Sequence, residues 1–310
     1  MLNGYEFYRY GKGIVADLWS TNYSEMKNII IPYPPLHEQQ AIANYLDIAT
    51  DKIDTLISKQ TKLIELLKEK RQALISHAVT KGLNPHAKMK QSGVEWLGEI
   101  PEHWEVKKLK HNISSLESGT SVNAADKPAD DNECGVLKTS SVYTGIFRPE
   151  ENKTVIENEI YRLSCPLKLN TLIVSRMNTP ELVGAAGLVT NAPKNIYLPD
   201  RLWQITFKSV LPSIIHYLTL TSIYRGYIHT VCDGTSSTMQ NLAQDNFKNF
   251  IYVQPAIKEQ QAIANYLDDK TQKIDNLIEK ATKAIALLKE RRTALISSAV
   301  TGKIDVRNMA

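Results

Sequence analysis

The sequence predicts an α+β fold, in which one globular mixed α/β body is flanked by two long helices that pack as a coiled coil. Three observations predict it. A 43-residue segment occurs twice, at residues 38–80 and 259–301, with 32 identical positions at an offset of 221. Both copies carry apolar residues at a seven-residue period, interrupted in the first by Gln60, and this is the period of coiled-coil packing. Between them, short runs of β-branched and aromatic residues stand among Pro, Gly and Asn, as strands do. A chain of 310 residues, 43% apolar and 23% charged, suits one or two globular domains.

Taken in order, residues 1–35 repeat the end of the second unit without a gap. Gly13 falls on Gly234, Lys27 on Lys248, Asn28 on Asn249 and Pro34 on Pro255. They read as the remnant of a first globular domain, too small to close a core of its own. Residues 36–82 form the first helix, with Leu46, Ile53, Gln60, Leu67 and Leu74 along its seam. Residues 93–255 form a complete globular domain. Within it, Thr171-Leu-Ile-Val-Ser-Arg and Leu202-Trp-Gln-Ile-Thr-Phe read as strands, and residues 214–228 as one buried amphipathic helix with His216 a core residue. Residues 233–241 read as a polar loop. The second helix fills residues 256–303, with Leu267, Ile274, Ala281, Leu288 and Leu295 on the matching line. Prolines before each helix (Pro34, Pro35, Pro255) and glycines after (Gly82, Gly302) are start and stop signals. At 1.5 Å per residue each repeated segment reaches about 65 Å.

Most catalytic chemistry is missing from the sequence. It has no phosphate-cradling Gly-x-x-x-x-Gly-Lys loop, no Gly-x-Gly-x-x-Gly, no His-Glu-x-x-His and no Gly-x-Ser-x-Gly. The chain is therefore expected to catalyse nothing by itself and to hold no metal. Cys134, Cys165 and Cys232 form no Cys-x-x-Cys pair, which suits a reducing cytoplasm. The first residues lack an apolar leader, and the most apolar stretch, residues 211–224, is short of the roughly 20 residues a bilayer needs. No membrane or secreted role is expected.

Charge placement says more than the small excess of 37 Lys and Arg over 33 Asp and Glu. Residues 93–255 carry 15 bases against 17 acids, yet residues 160–255 carry eight against four. So near-neutral a domain cannot hold nucleic acid by broad phosphate neutralisation. It would need a local patch of base-reading groups. Two polar segments supply them: Ser175, Arg176, Asn178 and Thr179 after a strand, and Ser236, Ser237, Gln240 and Asn241 in the polar loop. Arg201 and Lys248 are the candidate phosphate contacts. The same Ser, Thr and Asn residues also suit simple turn closure, and Arg201 could instead pair with its neighbour Asp200.

The residues assembled so far resemble the specificity (S) subunits of type I restriction–modification systems. The resemblance is carried by Ile31-Pro-Tyr-Pro-Pro-Leu-His-Glu-Gln-Gln-Ala-Ile-Ala-Asn-Tyr-Leu-Asp, by Leu66-Leu-Lys-Glu-Lys-Arg-Gln-Ala-Leu-Ile-Ser, and by their second copies. Gly93-Val-Glu-Trp-Leu-Gly-Glu-Ile-Pro-Glu-His-Trp and Ser175-Arg-Met-Asn-Thr-Pro-Glu-Leu-Val-Gly add to it. It implies target-recognition domains that each read one half of a split double-stranded DNA site. It also implies two helices that pack as an antiparallel coiled coil, act as a spacer and dock methyltransferase (M) subunits, with a restriction (R) subunit joining for cleavage. S-adenosylmethionine would then bind the M partner, leaving this chain without a cofactor. One recognition domain is whole here and the other is a remnant, so the expectation is a half-site reader completed by a second S chain, as a homodimer or with another fragment. The alternatives are a silent recombination cassette and a coiled-coil scaffold for protein partners.

Overall fold

The structure, a computed structural model, describes residues 12–15, 18–20, 23–236 and 239–307. Its elements in chain order begin with strands β1 (Lys12–Val15) and β2 (Leu18–Ser20), helix α1 (Tyr23–Met26) and the long helix α2 (Leu36–Lys81). Strands β3 (Met89–Gln91), β4 (Glu99–Pro101), β5 (Glu105–Lys108), β6 (Ile113–Ser118), β7 (Ala124–Ala125), β8 (Gly135–Leu137) and β9 (Asn152–Val155) follow. Then come β10 (Leu172–Ser175), β11 (Met177–Asn178), β12 (Ala186–Leu188), β13 (Ile196–Tyr197) and β14 (Leu202–Phe207). Helices α3 (Pro212–Thr219) and α4 (Ser222–Val231), hairpin strands β15 (Asp233–Ser236) and β16 (Met239–Asn241), helix α5 (Gln244–Asn249), strand β17 (Ile251–Gln254) and the second long helix α6 (Ile257–Val300) complete the chain. It divides into two units, Glu69–Gln272 on one hand and Met1–Lys68 with Lys273–Ala310 on the other.

The first unit is built round a four-stranded sheet in the order β12-β10-β14-β6. All its pairings are antiparallel. Both faces of β10 are covered, so it reads as an unbroken apolar run rather than an alternating one. Leu172 and Val174 enter the larger core with Trp203, Ile205, Tyr224, Phe247 and Phe250, whereas Ile173 and Leu202 enter a second core with Val142, Val189 and Leu198. Gln204, fully buried between its neighbours on β14, is satisfied there: its Oε1 accepts from the Lys168 N–H (2.8 Å) and its Nε2 donates to the Pro166 carbonyl (3.1 Å). A second sheet runs β13-β8-β9-β7, a three-stranded one β11-β16-β15, and β17 pairs with β5. The ends of the long helices close the larger core through Ile75, Ala78 and Val79 of α2 and Ile263, Ala264 and Leu267 of α6.

Two sequence expectations need correction here. Residues 214–228 are two helices, not one. Thr221 takes an extended conformation and its hydroxyl accepts from the Tyr224 N–H (3.2 Å), capping α4 and ending the run that began at Pro212. Residues 233–236 and 239–241, read as part of a loop, are paired strands: β15 pairs with β16, and β16 gains a partner in β11. His216 does sit in the interior, its Nε2 donating to the Gly145 carbonyl at 2.6 Å. Burial lowers its pKa from the ordinary value, with the Gly145 bond opposing this. The sign follows from linkage: below the unfolded value of about 6.5, the unfolded chain takes up a proton that the folded chain resists. Stability is therefore full above that value and falls as the pH drops below it. His216→Gln, which keeps a donor, should flatten the loss in urea midpoint between neutral pH and mildly acidic pH.

In the second unit the two long helices run antiparallel. Asp54 receives Arg292 in a bidentate pair (Nε to Oδ1 2.9 Å, Nη2 to Oδ2 3.1 Å), while Glu38, earlier on α2, acts on Arg307 beyond the end of α6. Ile53, Leu67, Ile274 and Ala281 are buried, and Leu46, Leu288 and Leu295 are half-buried. Of the other seam positions, in the first unit, Leu267 is fully buried and Leu74 half-buried. The internal repeat is also visible in the backbone. Strands β1 and β2 lie 221 residues before β15 and β16, and Lys12 pairs with Ser20 as Asp233 pairs with Asn241. Gln39 Nε2 reaches the Pro34 carbonyl at 2.8 Å, and Gln260 Nε2 reaches Pro255 at 2.8 Å. No helix among the described residues is long and apolar enough to cross a membrane.

Candidate nucleic-acid interface

The polar surface grows from the end of β10. After Ser175 the chain leaves the sheet, passes Arg176 and enters β11, which pairs with β16 so that Met177 faces Asn241 and Asn178 faces Gln240. Arg176 is fastened by its backbone on both sides: its N–H donates to the Arg201 carbonyl (3.0 Å) and its carbonyl accepts from Leu242 (2.8 Å). The turn that follows is equally tied down. Thr179 accepts from Val183 (2.9 Å), Gly184 donates back to Ser175 (2.7 Å), and Ser175 donates to Ala185 (2.8 Å). From α4, Arg225 gives Nη1 to the Val183 carbonyl (2.6 Å) and Nη2 to the Glu181 carbonyl (3.0 Å). The Tyr224 hydroxyl reaches the Gly184 carbonyl (2.9 Å). Gly184 itself has φ +75°, and a Cβ there would press on Ile228.

The sequence-selected residues divide accordingly. Ser175 is fully buried and Asn178 nearly so. The Asn178 amide is fully used inside the protein: Nδ2 donates to the Tyr143 hydroxyl (3.0 Å) and to Ser175 Oγ (3.1 Å), and Oδ1 accepts from the Thr179 N–H (2.9 Å). These two therefore organise the turn and do not face a ligand, the turn-closing alternative raised from the sequence. Thr179 is half-buried in the same turn. Arg176, Gln240 and Asn241 are brought together by the β11–β16 pairing, with Arg201 attached to Arg176 through its backbone and its side chain exposed. Lys248 stands on α5, its Nζ on Gln244 Oε1 (3.1 Å). Ser236 ends β15, and Ser237 lies outside the described residues.

Two atoms in this group lack any protein partner although they are buried: Arg176 Nε and Gln240 Oε1. A buried polar atom left unpaired costs about 1–3 kcal/mol. One is a donor, on the residue between β10 and β11, and the other an acceptor on β16. The residues missed from the sequence are Tyr143 and Arg225, which hold the turn from 35 and 42 residues away. Nothing in local spacing marks them, because their partners are brought in by the tertiary fold. A cleft lined by Lys107, Lys108 and Val106 of β5, Ile251 of β17 and His111 just beyond β5 also carries bases, Lys107 being paired with Glu105 (2.6 Å). Its Lys-Lys pair was visible, but the net charge of the domain hid it. Among the described residues no cluster of His, Cys, Asp and Glu could hold a metal.

The Glu69–Gln272 unit thus carries a short polar sheet, β11-β16-β15, beside a turn held by Tyr143 and Arg225. The profile of the type I restriction modification DNA specificity domain matches residues 17–66 and 101–286, and the chain belongs to that family. Relatives include the MjaVIII type I restriction enzyme specificity subunit of Methanocaldococcus jannaschii, 28% identical over 287 residues that cover 91% of this chain and 64% of that one. The EcoKI specificity subunit of Escherichia coli is 26% identical over 294 residues, covering 90% of this chain and 58% of its own. The chain spans about 60% of the length of these curated relatives. Among solved structures, a chain from the structural basis of complex assembly and conformational transition of the type I R-M system aligns with a TM-score of 0.69 at 16% identity, over 97% of this chain and 68% of that one. The HsdS subunit from Thermoanaerobacter tengcongensis aligns with a TM-score of 0.51 at 15% identity, over 94% and 66%. At these identities the structural likeness is one of fold.

Proposed function

We propose that this chain is a DNA-specificity subunit of a type I restriction–modification complex, in which the Glu69–Gln272 body reads one half of a bipartite double-stranded DNA target. What supports this reading is the match of the type I restriction modification DNA specificity domain to residues 17–66 and 101–286, within which the β11–β16 pairing gathers Arg176, Gln240 and Asn241. Guanidinium donors and amide acceptors are the side-chain groups that discriminate base edges in the major groove. Arg201, Lys248 and the Lys107–Lys108 cleft would position the duplex through phosphates without reading it. The chain itself catalyses nothing in this reading. Methyl transfer, with its S-adenosylmethionine, falls to M subunits docked on the long helices, and cleavage falls to an R subunit.

The helices suit a spacer. Helix α2 has 46 residues, about 69 Å of rod. That exceeds the roughly 34–36 Å that separates half-sites one duplex turn apart. The test is to co-express the chain with its cognate M subunit in cells lacking DNA methylation and to map N6-methyladenine across the genome. A split motif is expected, and a palindromic one would mean that two copies of this chain read it. Arg176→Ala should weaken the matched half-site by about 1–3 kcal/mol and relax one base position. Absence of new methylation with soluble chain and M subunit present would overturn the reading.

A further inference from the structure

The short sheet that gathers Arg176, Gln240 and Asn241 has little of its own to hold it. Strand β11 is two residues long and meets β16 at two positions, Met177 with Asn241 and Asn178 with Gln240. On β16, Met239 and Asn241 are exposed and Gln240 is half-buried, so this strand has no apolar face to press on a core. A ladder so short, without a buried face, is marginal in water. Beyond the two backbone bonds of Arg176 itself, the hold comes from the ends of the segment 175–184.

Two side chains from elsewhere in the fold grip those ends. The Tyr143 hydroxyl accepts from Asn178 Nδ2 (3.0 Å) and lies 2.7 Å from Thr139 Oγ1. Buried Asn178 passes the grip on. It also donates to Ser175 Oγ (3.1 Å) and accepts from the Thr179 N–H (2.9 Å), tying the residue before Arg176 to the turn after it. Residues 179–183 form a single turn, in which Leu182 and Val183 both donate to the Thr179 carbonyl (3.0 and 2.9 Å). At its far end Arg225 of α4 bridges three carbonyls, those of Pro180 (3.2 Å), Glu181 (3.0 Å) and Val183 (2.6 Å). A guanidinium spans all three with its fixed fork of donors, which the single nitrogen of a lysine does not.

We propose that Tyr143 and Arg225 are positioning residues for base selection, an inference that rests on the reading of this body as a half-site reader. Neither side chain touches DNA. Tyr143 acts through Asn178, and Arg225 through the 179–183 turn, to keep the Arg176 guanidinium at one angle to the base pair it meets. A donor free to swing would reach several base edges, whereas a held one discriminates among them because its ordering is already complete before binding. Arg225 counts among the eight bases of residues 160–255, yet it contributes through its fork and not through its charge.

The test uses the full chain in complex with its cognate M subunit, a duplex carrying the motif mapped for the wild type, and duplexes changed at one base pair each. Affinities are read by fluorescence anisotropy over a series of salt concentrations. Tyr143→Phe should lower the ratio of matched to mismatched affinity severalfold, at the same base pair that Arg176→Ala relaxes. Arg225→Lys, which keeps the charge, should lower it there too. Arg225→Gln should leave the slope of log affinity against log salt unchanged, whereas loss of a phosphate contact reduces that slope by about one. In the Arg176→Ala background Tyr143→Phe should lower the ratio no further, since the group it positions is gone. Selection by Tyr143→Phe equal to wild type, whether or not its urea midpoint falls, would overturn the proposal for Tyr143. An intact ratio in Arg225→Lys with a reduced slope in Arg225→Gln would make Arg225 a phosphate contact instead. A wild-type complex that does not distinguish the duplexes would overturn the half-site reading, and this proposal with it.

Discussion

Gly119→Ala should be the most destabilising small substitution in the body formed by Glu69–Gln272. Gly119 directly follows β6 and its N–H donates to the Pro199 carbonyl (3.2 Å). A Cβ built on it falls within the Leu198 carbonyl group itself, far inside any van der Waals contact. Neither backbone can yield. Leu198 is fully buried in the second core and its own N–H is bound to the Cys165 carbonyl (3.1 Å). On the other side, β6 is locked to β14 with Ser118 facing Trp203, itself 1% exposed. Separating the two segments would break that ladder and open both cores. The cost should exceed about 4 kcal/mol, the range reached when a single change forces backbone and core apart. Total stability of a domain is only about 5–15 kcal/mol. Gly226 supplies the control. It lies in α4 with nothing within 4 Å of its would-be Cβ, so Gly226→Ala should stabilise by about 0.5–1 kcal/mol. Urea unfolding followed by circular dichroism measures both, and a Gly119→Ala curve that overlies wild type would refute the steric account.

How far the sequence could be read follows from where each element draws its stability. The long helices were legible because both copies repeat an apolar seam whose period is itself the packing rule. Strand β10 was legible because a strand covered on both faces reads as an apolar run, and β14 because its aromatic and β-branched residues stand out around Gln204. The break at Thr221 was not, since one hydroxyl bond to the Tyr224 N–H outweighed an apolar pattern that runs straight through it. Hairpin β15–β16 was not, because Asp, Gly, Thr and Ser argue for a loop locally. It is held as sheet by β11, some 60 residues earlier in the chain. The same distance effect separates Asn178 from Arg176. Both are polar side chains on one short segment, yet Tyr143 draws the first inward while the second keeps an unpaired Nε. Residue type was thus readable at the site, and side-chain direction was not.

Trp104→Ala should be the most costly side-chain deletion, at about 3–5 kcal/mol. Trp104 has no exposed surface and belongs to the larger core with Ile75, Ala78 and Ile100. It also meets Gly82 at the end of α2, where a Cβ would stand 3.1 Å from Trp104 Cζ2. Its Nε1 reaches Glu259 Oε2 at 3.0 Å near the start of α6. One indole therefore joins the end of one long helix, the start of the other and the strand that begins the body. Trp104→Phe separates the parts of this. It keeps most of the apolar contact but loses the bond to a carboxylate, worth about 1.5–3 kcal/mol when the acceptor is charged. Glu259→Gln leaves an acceptor for the indole and should cost less than Trp104→Phe. If the two substitutions cost the same in urea unfolding, the charge on Glu259 accounts for the bond. If Trp104→Phe costs nothing, the indole acts by packing alone.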